Sequence, residues 1–131
     1  MKHLLLLGIL AAFFSATAQK EVALTETQKL AIKLSKYTYV ATVGNIKAYV
    51  NFSKNTTMRA WSNLYPDCIS LSSWSPGSNN IYNISTTWIS NTCGSRGSDM
   101  NIIFDNKSAT PMFYFSSDPN IKYWAGPKID K

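Results

Sequence analysis

Arg59, Trp61, Asn63 and Tyr65 stand two residues apart, the spacing that sets side chains on one face of a β-strand. A cation, two flat rings and an amide on one face form a set suited to non-covalent recognition. Rings stack on the apolar face of a sugar, while amide and guanidinium groups hydrogen-bond its hydroxyls or acidic substituents. Tyr49 and Lys47, on the preceding run, are expected on the same side. The alternate set, Met58, Ala60, Ser62 and Leu64, then faces inward. The opposite assignment puts Trp61 and Tyr65 in the core, because large aromatics favour burial. An exposed face of this kind would also stack bases or sit among lipid headgroups.

Reactive chemistry is poorly supplied. The sequence has 1 His, His3, and it lies in a segment expected to be removed. That excludes a Ser-His-Asp triad, a Cys-His dyad and His-based proton transfer. The 7 acids are Glu21, Glu26, Asp67, Asp99, Asp105, Asp118 and Asp130. Asp99 and Asp105 bracket a predicted strand, so they fall at its opposite ends and cannot work as a glycosidase pair. Gly94-Ser-Arg-Gly97 lacks the lysine and helix of a phosphate loop, and Asp99-Met-Asn101 does not continue as a calcium loop. No catalytic residue, metal site or cofactor is expected.

The first 18 residues read as a cleaved export signal. Lys2 and His3 precede an apolar run from Leu4 to Phe14, and Ala16-Thr-Ala18 provides small residues before the expected cleavage. The run falls short of the roughly 20 residues a membrane-spanning helix needs. Secretion, or export to a bacterial periplasm, follows as the expected localisation. The remaining 113 residues fit one domain, with 12 basic side chains against 7 acidic. This balance favours anionic partners: a surface glycan, an anionic surface or membrane lipid. A nucleic-acid partner is not expected. In an oxidising compartment Cys68 and Cys93 should form a disulfide, stabilising by roughly 3 kcal/mol through loop closure. Fifteen of the 17 aromatic residues follow the signal. A small domain needs several for its core and has too little interior for all of them.

The elements that must position these residues are mostly strands. Residues 19–36 form an N-terminal segment, predicted helical from Thr25 and Gln28, a capping-box pair. Lys29, Lys33 and Lys36 share one helical face beside Leu30, Leu34 and Tyr37, while Ile32 fits the wheel badly. From residue 37 to 131 the pattern is β. Residues 37–43 and 46–52 flank Gly44-Asn45 as a hairpin, with Ile46, Ala48, Val50 and Phe52 alternating on one face. Further runs cover 57–65, 68–74, 81–90, 100–105, 112–117 and 121–125, separated by turn clusters such as 75–80 and 107–111. About eight short antiparallel strands predict an all-β fold, a small single-domain sandwich or barrel with a short N-terminal helix and one disulfide. Trp88, in phase with Tyr82, Ile84 and Thr86, reads as core. Trp74 and Trp124 adjoin turns and are expected to be exposed.

Asn51, Asn55, Asn83 and Asn106 each begin an Asn-x-Ser/Thr triplet, and a glycan on Asn51 would cover the Tyr49 face. The expected function is a secreted, non-catalytic binding protein that takes carbohydrate or another surface ligand through Tyr49, Arg59, Trp61, Asn63 and Tyr65. A membrane-active toxin or effector, resting on the basic helix, is the first alternative. An inhibitor of an extracellular enzyme, acting through loops near Pro76-Gly77 or Arg96, is the second.

Overall fold

The computed structural model describes residues 24–77, 80–105 and 110–131, without the side chains of 80–82. The expected signal over 1–18, Asn106 and most of the 107–111 turn lie outside the described residues. One helix, α1 (Glu26–Leu34), precedes eight strands: β1 (Thr38–Val43), β2 (Ile46–Phe52), β3 (Thr57–Ser62), β4 (Ser70–Gly77), β5 (Asn80–Asn91), β6 (Met100–Asp105), β7 (Met112–Phe115) and β8 (Tyr123–Gly126). Each strand pairs antiparallel with the next, and β8 returns to β1, closing a barrel. Of the two expected architectures the chain adopts the barrel, which leaves no sheet edge open to another chain.

Alternation along the strands sorts side chains into the barrel and onto its wall. Tyr39, Val50, Met58, Trp74, Ile84, Ile102 and Phe113 are buried at inward positions. An eight-stranded barrel is just wide enough for side chains to fill, and aromatic rings do most of the filling here. Tyr39 meets Phe52 edge-on at 5.6 Å, Phe52 meets Phe113 at 5.6 Å, and Phe113 stacks on Tyr123 at 4.7 Å. Such pairs each add about 0.5–1.5 kcal/mol beyond their area burial.

The Gly44-Asn45 turn joins β1 and β2, with Gly44 at a φ of 62° that other residues rarely adopt. Helix α1 begins with the expected capping box: Gln28 N–H donates to Thr25 Oγ1 at 3.0 Å, and Thr25 N–H donates to Gln28 Oε1 at 2.8 Å. Its buried residues, Leu30, Ala31 and Leu34, belong to the cluster that holds Tyr39, Phe52, Trp74 and Ile84. The helix therefore plugs one end of the barrel, with Lys29 and Lys33 turned to solvent. Ile32, the misfit of the wheel, is exposed.

Two expectations are corrected. Trp74 is 3% exposed. The predicted turn at 75–80 is shorter than expected, β4 runs on to Gly77, and Trp74 is an inward mid-strand residue. Pro76 is accommodated where the β4–β5 register slips. Second, the predicted 57–65 strand stops at Ser62, so Leu64 leaves the sheet and is exposed instead of facing inward. Asn51, the first residue of one Asn-x-Ser/Thr triplet, is buried and hydrogen-bonded through both side-chain polar atoms, so the folded protein has no room for a glycan there. Trp124 is exposed as expected. Trp88 keeps the inward phase of Ile84 and Thr86, and pairs Ser72.

Candidate binding site on the outer wall of β2 and β3

The register places Tyr49 opposite Trp61, and Val40 opposite both Tyr49 and Trp124. Trp124, Val40, Tyr49 and Trp61 thus form one row across four strands on the outside of the barrel. Tyr49 and Trp61 stack with centroids 5.3 Å apart and planes 15° from parallel. Trp61 is only 7% exposed although it projects from the wall and does not belong to the interior cluster. Both competing assignments thus hold in part: the ring faces outward, yet most of it is covered.

Beyond Ser62 the chain turns away, and Tyr65 is 70% exposed in the following loop. Trp61 and Tyr65 line one shallow groove of about 310 Å³ with Ser62, Ser70, Asn91 and Ser95. The groove is braced. The Cys68–Cys93 disulfide joins the approach to β4 to the turn after β5, as expected from the sequence. Thr92 Oγ1 accepts from Ile69 N–H at 2.8 Å and donates to the Asp67 carbonyl at 2.6 Å. Asn91 donates to Ser70 Oγ at 2.8 Å and accepts from Cys93 N–H at 2.8 Å. A wall fixed this way has little entropy to lose when a ligand arrives.

Two of the five expected ligand residues have internal partners. Asn63 Oδ1 accepts from Lys47 N–H at 2.8 Å, and its Nδ2 donates to the Asn45 carbonyl at 2.9 Å. That side chain closes the end of the β2–β3 ladder. Arg59 Nη1 donates to the Lys131 carbonyl at 2.9 Å. It belongs to a second cleft, of about 280 Å³, whose lining includes Asn51, Ser53, Thr57, Arg59, Lys128 and Lys131. Burial lowers the affinity of the Lys128 ammonium for its proton, against the opposing pull of Asp130.

That cleft is made by the segment after β8, which sequence patterning left undefined. Ile129 N–H donates to Thr38 Oγ1 at 2.7 Å, Thr38 Oγ1 donates to Asn51 Oδ1 at 2.6 Å, and Asn51 Nδ2 donates to the Ile129 carbonyl at 2.7 Å. Residues 127–131 therefore lie over the outside of β1–β3. Neither the tail nor the groove residues Ser70, Asn91 and Ser95 had a signal in the sequence, because backbone carbonyls and serines carry no pattern.

Asp99 and Asp105, the pair weighed from the sequence, do not come together. They lie at opposite ends of β6, and Asp99 accepts from Trp88 N–H at 2.9 Å. Among the described residues no group of three or more His, Cys, Asp and Glu converges as a metal site. No helix among them is long and apolar enough to cross a membrane. Comparison with family models, curated proteins and solved structures finds no match to this chain.

Proposed function

We propose that the protein is an exported, non-catalytic carbohydrate-binding domain, and that the groove between Trp61 and Tyr65 is its sugar site. The observation that carries this reading is one exposed ring, Tyr65, beside a second ring, Trp61, in a braced hollow bearing the hydroxyls of Ser62, Ser70 and Ser95. Flat rings match the apolar face of a pyranose, and hydroxyls match its equatorial oxygens. The disulfide is compatible with an oxidising compartment. A glycan-array screen tests the reading. Tyr65→Ala, which removes an exposed ring, should weaken any hit about tenfold, the worth of one aromatic contact; Trp61→Ala, which removes the largely covered ring that backs the groove, should weaken it less. An array without hits, or a Tyr65→Ala profile identical to the parent, rejects it.

A second reading, attachment to a lipid surface, draws support from one end of the barrel. Val43, Ile46 and Leu64 are each at least 41% exposed there, beside Tyr65, and Asn63 ties their two loops together. The basic helix does not support it, since its apolar side is buried on the barrel. Co-sedimentation with anionic vesicles distinguishes the readings, because only the second requires binding.

A further inference from the structure

We infer that the cleft beneath the 127–131 segment is an anion subsite, and that it receives a carboxylate or sulfate ester carried on a sugar chain. This rests on the carbohydrate reading for the source of the anion, and on separate residues for the site itself.

The cleft gathers charge of one sign. Its lining includes Arg59, Lys128 and Lys131 against the Asp130 carboxylate and the main-chain oxygen of Lys131, which Arg59 already contacts. Three of the ten described basic residues therefore line this hollow. None of the three forms a salt bridge with an Asp or Glu side chain among the described residues, where the one such pair is Lys29 with Glu26 on the helix. Arg59 gives one N–H to the Lys131 carbonyl and keeps the rest of its five donors for a ligand. A guanidinium fork matches the paired oxygens of a carboxylate or sulfate, and flexible ammonium groups add point charges around it.

The remaining lining argues for a sugar rather than a base or an acyl chain. Ser35, Ser53, Asn55 and Thr57 give it a polar lining, with Ser53, Asn55 and Thr57 hydrogen-bonded to one another and Ser35 to the Ile32 carbonyl, and the one aromatic residue there, Phe52, is fully buried. Base stacking needs an exposed ring, and lipid insertion needs exposed apolar side chains. Placement links the cleft to the groove. Arg59 and Trp61 are two residues apart on the outer face of β3, about 7 Å along the strand, so adjacent residues of one chain reach both.

The test measures binding of a sulfated octasaccharide and its desulfated counterpart by titration calorimetry, at matched ionic strength. The sulfated chain should bind about tenfold tighter, as expected for charge-assisted contacts. Lys128→Gln with Lys131→Gln should abolish that preference, and Arg59→Gln, which keeps an amide donor for the Lys131 carbonyl, should reduce it. Lys29→Gln with Lys122→Gln, an equal change in net charge, should leave it intact. Tyr65→Ala should weaken both oligosaccharides and preserve their ratio, which separates failure of the groove reading from failure of this one. Equal affinity for the two oligosaccharides, or a preference that survives in the cleft variant, overturns the inference. So does a single-stranded oligodeoxynucleotide or an anionic vesicle that binds as tightly with the same dependence on Lys128 and Lys131.

Discussion

Asn51, on the outer face of β2, holds the carbonyl of Ile129 at 2.7 Å and so ties the segment after β8 to the barrel wall. Its Oδ1 accepts from Thr38 Oγ1, which itself accepts from Ile129 N–H, so three residues close a ring of hydrogen bonds. Asn51 and Thr38 are buried. Removing one member leaves buried polar groups without partners, which costs about 1–3 kcal/mol. Asn51→Ala should lower stability by that amount in urea denaturation. It should also speed hydrogen exchange at the Ile129 amide, while amides of the β6–β7 ladder keep their protection.

Gly97 sits where a side chain has no room. A Cβ there would clash with Cδ1 and Nε1 of Trp88, a rigid indole that the Arg96 guanidinium also approaches, at 5.4 Å from the ring centroid. The indole or the loop must shift, and overpacking of this kind costs about 1–3 kcal/mol. Gly97→Ala should therefore destabilise the fold and change the tryptophan emission. Gly44→Ala tests a different cause, since the space around Gly44 is open and only its φ of 62° resists.

Alkaline pH should unfold the barrel through its buried phenols. Burial raises the pKa of Tyr39 above the ordinary 10.0, with Tyr37 adding to the effect. Burial likewise raises Tyr123, with Asp118 adding. Above pH 10 the unfolded chain releases these protons while the folded chain retains them. The contribution is thus fully present below the unfolded value and is lost as pH climbs toward the folded one. Denaturation midpoints compared at neutral pH and above pH 10 should fall, and Tyr39→Phe should shrink the drop.

The disulfide spans a sequence separation of 25 and braces the groove wall. Replacing both cysteines by serine should cost about 3 kcal/mol by loop-closure entropy. Equilibrium unfolding of the double variant, compared with the oxidised parent, measures this directly. Sugar binding should weaken in the same variant under conditions where it stays folded, because the 63–69 loop loses its anchor to the β5 turn.

Local signals made much of the fold legible. The Thr25–Gln28 pair marked the start of α1, and strict alternation from Ile46 to Phe52 marked β2 and its inward face. The failures have a shared cause. The nearness of Trp74 to Pro76-Gly77 is a turn signal, but a strand absorbs a proline where its register slips, so the inward phase of Trp74 outweighs that signal. Phase alone places Leu64 and Tyr65 in the strand, but Asn63 ends the ladder by bonding the Lys47 and Asn45 backbone. Of the five candidate ligand residues, the stacked pair Tyr49 and Trp61 was readable from cross-strand logic. The attachment of Arg59 to Lys131 was not, because it joins residues 72 apart through a backbone oxygen that any sequence would supply.

Chemical-shift mapping of the ¹⁵N-labelled protein, titrated with the strongest neutral oligosaccharide from an array, tests the sugar site most directly. The account predicts saturable shifts confined to Trp61, Ser62, Tyr65, Ser70 and Ser95, including the Trp61 indole N–H, and their loss in Tyr65→Ala. Shifts centred elsewhere, such as the Val43–Ile46 tip, or an unchanged titration of the Tyr65→Ala variant, would contradict it.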